Sequence, residues 1–309
     1  MTESAERRST RQREQLAERC LVSTEWLAAH LSAPDVRIVD ASYFLPGEGR
    51  DARAEYEQEH IPGAVFFDID EIKDPASPLP HMLPPPEVFA AKVRRLGLGD
   101  GNRIVVYDRR GLFSAARVWW SFRVYGHEDV AVLDGGLPKW LAEGRPVDDR
   151  PVHPGERHFT ARLNTLLLRD LEQVEANVGS RREQLVDARA GERFRGEVEE
   201  VRPGQRRGHI PGSLSLPFVE LLDTADGTLL PPDRLRERFA AAGVDPVRPV
   251  VTTCGSGVTA CVLLLGLARV GAGRLALYDG SWSEWGLPEG PPIETGPPAG
   301  GAAEPGASR

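Results

Sequence analysis

The chain repeats itself at the scale of a whole domain. Ile38-Val39-Asp40-Ala41 returns as Leu185-Val186-Asp187-Ala188, and His60-Ile61-Pro62-Gly63 returns as His209-Ile210-Pro211-Gly212. Val132-Leu133-Asp134-Gly135 with Trp140 returns as Leu277-Tyr278-Asp279-Gly280 with Trp285. The separations are 147, 149, 145 and 145 residues, in one order. That period lies far above the roughly 20–50 residues of a solenoid repeat. The chain therefore reads as a duplicated domain, and its 309 residues suit two copies at about 100–200 residues each. Each copy is large enough to bury a core without disulfides or metal.

Within each copy, short β-branched runs alternate with helix-like stretches. Strands are expected at Val36–Asp40, Arg103–Tyr107, Val130–Leu133, Gln184–Asp187, Val250–Thr253 and Leu275–Leu277. Helices are expected at Thr24–Leu31, Pro86–Leu96, Ala115–Tyr125, Arg169–Asn177, Pro232–Ala242 and Val258–Val270. The alternation predicts an α/β fold: two tandem domains, each a mainly parallel sheet flanked by helices. Residues 1–20 are polar and read as a frayed extension or short helix. Domain one spans 21–144, a Pro/Gly-rich linker 145–165 and domain two 166–287. Residues 288–309 are rich in Gly and Pro and nearly devoid of apolar side chains, the composition of a disordered tail.

Composition narrows the function classes. No stretch approaches 18 apolar residues, so no membrane span is expected. The first twenty residues lack the apolar core of a secretory signal, which reads as a cytoplasmic location. A net charge of -8 argues against nucleic-acid binding. The three cysteines, Cys20, Cys254 and Cys261, exclude a disulfide scaffold and a CxxC zinc site. Neither a metal nor an organic cofactor is expected.

One segment looks like a reaction centre. The run Val250-Val251-Thr252-Thr253 leads into Cys254-Gly255-Ser256-Gly257-Val258-Thr259 and then an apolar helix. Two glycines in three positions let the backbone curl with its amides pointing inward. The helix N-terminus adds partial positive charge at the same place. An anion belongs at the centre, and the Cys254 sulfur, as thiolate or persulfide, is the candidate. Strand C-terminal ends are also where open α/β sheets place their sites. The competing reading is a buried structural cysteine.

The Cys-Gly-Ser-Gly-Val-Thr-Ala-Cys run at 254–261, followed by Asp-Gly-Ser-Trp-Ser-Glu-Trp at 279–285, resembles the tandem-domain rhodanese family. Within it, the 3-mercaptopyruvate sulfurtransferases are the nearest group. The resemblance covers about residues 21–286, with both His-Ile-Pro-Gly runs. It implies that the second domain's cysteine accepts a sulfane sulfur and hands it to cyanide or a thiol, thioredoxin or a small thiol being candidates. It also implies that the first domain is a catalytically silent copy. The repeat supports this, because Asp108 stands where the second copy has Cys254, and a carboxylate cannot carry a persulfide.

Loop composition bears on the donor. Thiosulfate-preferring relatives resemble Cys-Arg-Lys-Gly-Val-Thr, with cations beside the cysteine, whereas this chain has Gly255 and Ser256 there. That resembles the mercaptopyruvate group, whose serine works with a histidine and an aspartate of the first domain. On that correspondence Asp70 orients His81, and His81 meets Ser256 near Cys254; Asp68 competes with Asp70. Gly255, Gly257, Val258 and Thr259 would supply the backbone around the substrate. Arg193 and Arg202 match the family's two carboxylate-binding arginines, with Arg189 and Arg195 as competing neighbours. The family tends to read Glu-Pro-Glu-Pro-Arg before the second arginine, where this chain reads Glu-Val-Glu-Glu-Val-Arg.

Three other readings compete. Thiosulfate as donor keeps the same site. A phosphatase needs an arginine six residues past the cysteine to stabilise phosphoryl charge, and this chain has Ala260. A non-catalytic persulfide carrier would not need the two arginines. Cys261 reads as core packing, Cys20 as inert, Asp40 and Asp187 as turn caps, His60 and His209 as loop anchors, and Ser281 as a loop neighbour that could touch substrate.

Overall fold

The structure, a computed structural model, describes residues 2–298. In chain order the first half contains α1 (Thr2–Arg19), β1 (Leu21–Val22), α2 (Thr24–His30), β2 (Val36–Asp40), α3 (Ala52–Gln58) and β3 (Val65–Phe66). It continues with α4 (Pro86–Arg95), β4 (Arg103–Tyr107), α5 (Ala115–Val124), β5 (Val130–Leu133) and α6 (Gly136–Ala142). The second half contains β6 (Leu168–Arg169), α7 (Leu171–Ser180), β7 (Gln184–Asp187), α8 (Gly191–Arg195) and β8 (Leu214–Ser215). It ends with α9 (Pro232–Ala241), β9 (Val250–Thr253), α10 (Ala260–Arg269), β10 (Leu275–Tyr278) and α11 (Ser281–Trp285).

Each half folds as a five-stranded parallel sheet. The orders are β1-β5-β4-β2-β3 and β6-β10-β9-β7-β8, the same topology twice. All six expected strands are present. The central strands β4 and β9 carry Ile104-Val105-Val106-Tyr107 and Val250-Val251-Thr252-Thr253, all buried, as a sheet covered by helices on both faces requires. Pro86 and Pro232 start α4 and α9, where a missing N–H costs nothing.

Helices α5 and α10 follow the two central strands and pack against each other across the domain boundary. Both are buried almost all round, which explains their lack of a polar stripe. One apolar core therefore runs from Trp119 and Trp120 of α5 to Leu263 and Leu264 of α10.

The segments outside the sheets are more ordered than composition suggests. Helix α1 is longer than the expected short helix and lies on α10, with Arg269 donating to the Ala17 carbonyl at 2.5 Å. Since β1 then enters the first sheet, this extension straps the two domains together. The linker runs along domain one, burying Phe159 against Phe89 and Phe122. The disordered tail expected from 288 onward needs correction. Glu294 pairs with His209, and Trp285 and Arg206 donate to the carbonyls of Pro292 and Pro291. Those contacts anchor a segment that itself stays exposed or half-exposed. The rest of that expectation, 299–309, lies outside the described residues.

Candidate active site

Strand β9 delivers Cys254 to the domain boundary, where it is 2% exposed. The next five residues curl into the N-terminus of α10, and Gly257 takes a left-handed φ of 73°. Among the described residues, the main-chain N–H groups of Gly255, Ser256, Gly257, Val258 and Thr259 have no protein acceptor. Five consecutive unpaired amides in a largely buried loop are rare, because each unmet buried donor is costly. They describe a cradle built for an anion.

The first copy shows such a cradle filled. Asp108 follows β4 at the position of Cys254, and its carboxylate accepts from the amides of Arg110, Phe113 and Ala115 at 2.8, 2.8 and 2.9 Å. Burial pushes this carboxyl up, and those amides pull it back. Domain one therefore satisfies its loop with its own side chain, while domain two leaves Ser256 and Val258, the counterparts of Arg110 and Phe113, open.

The turn after β10 fixes the open loop from behind. Ser281 Oγ accepts from the Cys254 amide at 3.3 Å, and the Trp282 amide donates to the Cys254 carbonyl at 2.9 Å. Ser283 donates to the Gly255 carbonyl through both its amide and its hydroxyl, at 2.8 and 2.7 Å. Ser281 thus touches the cysteine's backbone and holds a left-handed φ of 50°.

Domain one supplies the opposite wall. His81 Nδ1 lies 3.0 Å from Ser256 Oγ, across 175 residues of sequence. Asp70 Oδ1 lies 3.4 Å from His81 Nε2, while Asp68, its competitor, is spent on the amides of Asp70 and Glu71. Burial holds the His81 imidazole below its ordinary range, against the upward pull of Asp70. The bond from His81 in turn holds the Asp70 carboxyl below the usual carboxylate range. His81 sits at φ 61°, a left-handed conformation that costs a non-glycine residue about 1–2 kcal/mol.

Both expected arginines reach the loop. A Cβ on Gly255 would lie 3.3 Å from Arg193 Nη2 and 3.9 Å from Arg202 Nη1, so both guanidinium groups face that glycine. The Arg202 side chain also faces the Tyr43 hydroxyl of domain one, whose burial raises it to about 12. The competing arginines are engaged elsewhere. Arg195 pairs with Glu197 on the surface, and Arg189 is buried on Asp187 and over the Trp282 ring.

Sequence reasoning missed four residues. Glu200 is buried and bridges the arginines, with Oε1 2.7 Å from Arg189 and Oε2 on Arg193. It is one of three glutamates among residues 197–200, and nothing local sets it apart. Arg117, Asp279 and Tyr43 meet at the boundary only through the packing of the two copies. Arg117 Nη1 donates to Asp279 Oδ1 at 2.6 Å. The remaining features match their modest expected roles. Asp40 and Asp187 cap turns, His60 and His209 anchor their loops, and Cys261 is buried against the Gly257 carbonyl with its thiol pushed up.

The fold and this loop define a class. The Rhodanese-like domain model matches residues 23–143 and 170–287, and the chain belongs to that family. It is 46% identical over 273 residues to the Homo sapiens 3-mercaptopyruvate sulfurtransferase, covering 86% of this chain and 92% of the human one. It is 47% identical over 278 residues to the Bos taurus thiosulfate sulfurtransferase, covering 88% and 93%. Among solved structures, the Escherichia coli 3-mercaptopyruvate sulfurtransferase SseA superposes with a TM-score of 0.79 at 42% identity. That match covers 86% of this chain and 99% of SseA.

Proposed function

We propose that this protein is a sulfurtransferase that moves a sulfane sulfur from 3-mercaptopyruvate to a thiol or cyanide through a Cys254 persulfide. The observation that carries the donor choice is the 3.0 Å contact between Ser256 and His81 beside Cys254. Identity alone does not separate the donors, since relatives named for each stand at 46% and 47%. The loop composition favours 3-mercaptopyruvate, because thiosulfate is a dianion and neither Gly255 nor Ser256 carries a cationic side chain.

In the first step the Cys254 thiolate attacks the donor sulfur. A sulfur–sulfur bond forms, the carbon–sulfur bond breaks, and its electron pair passes to the pyruvate enolate. The donor's thiol proton leaves sulfur and a proton arrives at carbon, so pyruvate and an ionised persulfide result with no net proton change. A neutral His81, with Nε2–H toward Asp70 and Nδ1 toward the Ser256 hydroxyl, suits that exchange. Arg193 and Arg202 offer forked donors to the substrate carboxylate and keto oxygen. The amides of Gly255, Gly257, Val258 and Thr259 surround the sulfur as its charge changes. In the second step cyanide, a small thiol or a protein thiol such as thioredoxin attacks the outer sulfur and frees Cys254.

Among the described residues no helix is long and apolar enough to cross a membrane. The test is pyruvate release from 3-mercaptopyruvate by the native protein and by Cys254→Ser, alongside kcat/KM for thiosulfate. Equal rates for the two proteins end the reading. A thiosulfate preference transfers the site to that donor.

A further inference from the structure

Arg117 lies on α5 of domain one, is 3% exposed, and belongs to neither the relay nor the cysteine loop. Its Nη1 donates to Asp279 Oδ1 at 2.6 Å and to the Gly257 carbonyl at 3.2 Å. Its Nη2 donates to the His81 carbonyl at 2.5 Å. One planar guanidinium thus joins the backbone of the relay histidine to the backbone of the cradle, a geometry that lysine's single nitrogen cannot reproduce.

The duplication supplies an internal control. His81 stands 146 residues before Gly227, and both are left-handed, at φ 61° and 70°. Gly227 packs on the Asp108 loop, its carbonyl 3.2 Å from where a Gly111 Cβ would lie. Helices α5 and α10 begin at Ala115 and Ala260, so Arg117 aligns with Val262. The silent site around Asp108 is therefore faced by a glycine at the left-handed position and a valine on the helix, both from domain two. Glycine adopts that conformation freely, whereas a histidine holds it only where its surroundings over-determine it. The copy that uses a histidine there also carries an arginine bonded to that histidine's carbonyl.

We propose that Arg117 is a positioning residue: it locks His81 in its left-handed conformation against Gly257 and so sets the contact between His81 and Ser256. The inference rests on the relay reading above. The alternative is that Arg117 only glues the domains through Asp279.

Arg117→Lys distinguishes them, because lysine keeps a cation for Asp279 but loses the fork. Pyruvate release and thiosulfate turnover are measured for Arg117→Lys, His81→Ala and the double variant. Sulfite leaves thiosulfate without protonation at carbon, so that donor does not call on the relay. Arg117→Lys should lose about tenfold or more in kcat on 3-mercaptopyruvate and less than about twofold on thiosulfate. Added to His81→Ala it should cost less than about twofold further, since coupled residues do not add. Equal losses on both donors, or an undiminished Arg117→Lys effect in the His81→Ala background, overturn the proposal. Asp279→Asn keeps the protein testable if lysine is not tolerated. It weakens the glue and spares both carbonyl bonds, so its donor ratio should stay near native, and a collapse of that ratio overturns the proposal. Full pyruvate release by His81→Ala overturns the relay reading and this one together. Loss with His81→Ala but none with Arg117→Lys overturns this inference alone.

Discussion

Asp279 Oδ2 accepts from the Leu83 amide across the domain boundary at 2.8 Å. The same contact exists in reverse: Asp134 Oδ1 accepts from the Leu229 amide at 2.8 Å. Asp134 and Asp279 are repeat equivalents, as are Leu83 and Leu229, at separations of 145 and 146 residues. The two domains therefore meet like the halves of an isologous dimer, each lending its aspartate to the other's loop. The proposed chemistry lies where that symmetry fails: Cys254 against Asp108, His81 against Gly227, and Arg117 against Val262.

The asymmetry predicts unequal costs for the two aspartates. Asp279→Ala strands the buried Arg117 cation and the Leu83 amide, which should cost about 3–5 kcal/mol. Asp134→Ala strands only the Leu229 amide and should cost about 1–3 kcal/mol. Urea denaturation followed by tryptophan fluorescence measures both. Equal losses would mean that the Arg117–Asp279 pair contributes nothing beyond its mirror contact.

The acid limb of catalysis should lie below the ordinary histidine range. In the proposed mechanism His81 works as the neutral imidazole, and burial depresses its folded pKa below 6.5. As pH falls, the unfolded chain takes that proton first. His81's contribution to stability is therefore full above about pH 6.5 and declines below it. Pyruvate release should persist below that value and fall only as the buried ring titrates. Asp70 pulls the His81 pKa upward, so Asp70→Asn should move the acid limb of kcat to still lower pH. A limb that moves upward contradicts the assigned Asp70–His81 contact.

The repeat made the fold legible, because in both copies short β-branched runs such as β4 and β9 alternate with helix-like stretches. Cys254, Ser256 and Gly257 were legible for a local reason: a strand, a glycine-flanked cysteine and a helix start fall in one stretch. The cross-domain partners were not. Nothing local to Arg117 marks it in a sequence whose 38 basic residues include only Lys73, Lys92 and Lys139 as lysines. Its role depends on α5 meeting α10, which no periodicity encodes. Glu200 was hidden for the same reason, since Glu197 and Glu199 beside it are exposed surface charges of the same type. The docked segment 288–294 was misread because its composition says nothing of the His209, Arg206 and Trp285 partners waiting for it.

Glu200 should govern substrate binding more than turnover. Its carboxylate holds Arg193 from behind, leaving the guanidinium turned toward Gly255. Glu200→Gln keeps the size but removes the charge and one acceptor, so Arg193 loses its fixed bearing. The KM for 3-mercaptopyruvate should rise about tenfold, the worth of one charge-assisted hydrogen bond, while kcat stays within about twofold. A fall in kcat at constant KM would place Glu200 in the chemical step instead.

Asp108 tests whether the cradle alone makes an active site. Among the described residues its carboxylate is the only acceptor for three amides, two of them buried, so Asp108→Ala leaves them unmet and should cost about 2–4 kcal/mol, read by urea denaturation. Asp108→Cys puts a thiol at the head of the same loop, at the end of the equivalent strand. If position and main-chain dipoles were sufficient, that variant would release pyruvate in a Cys254→Ala background. It should not, because Gly227 stands where His81 would act and Val262 where Arg117 would hold it. The thiol of the variant should still react with iodoacetamide, which separates a reactive cysteine from a working site. Turnover by Asp108→Cys without Cys254 would show that the relay is dispensable, and with it the donor assignment drawn from Ser256 and His81.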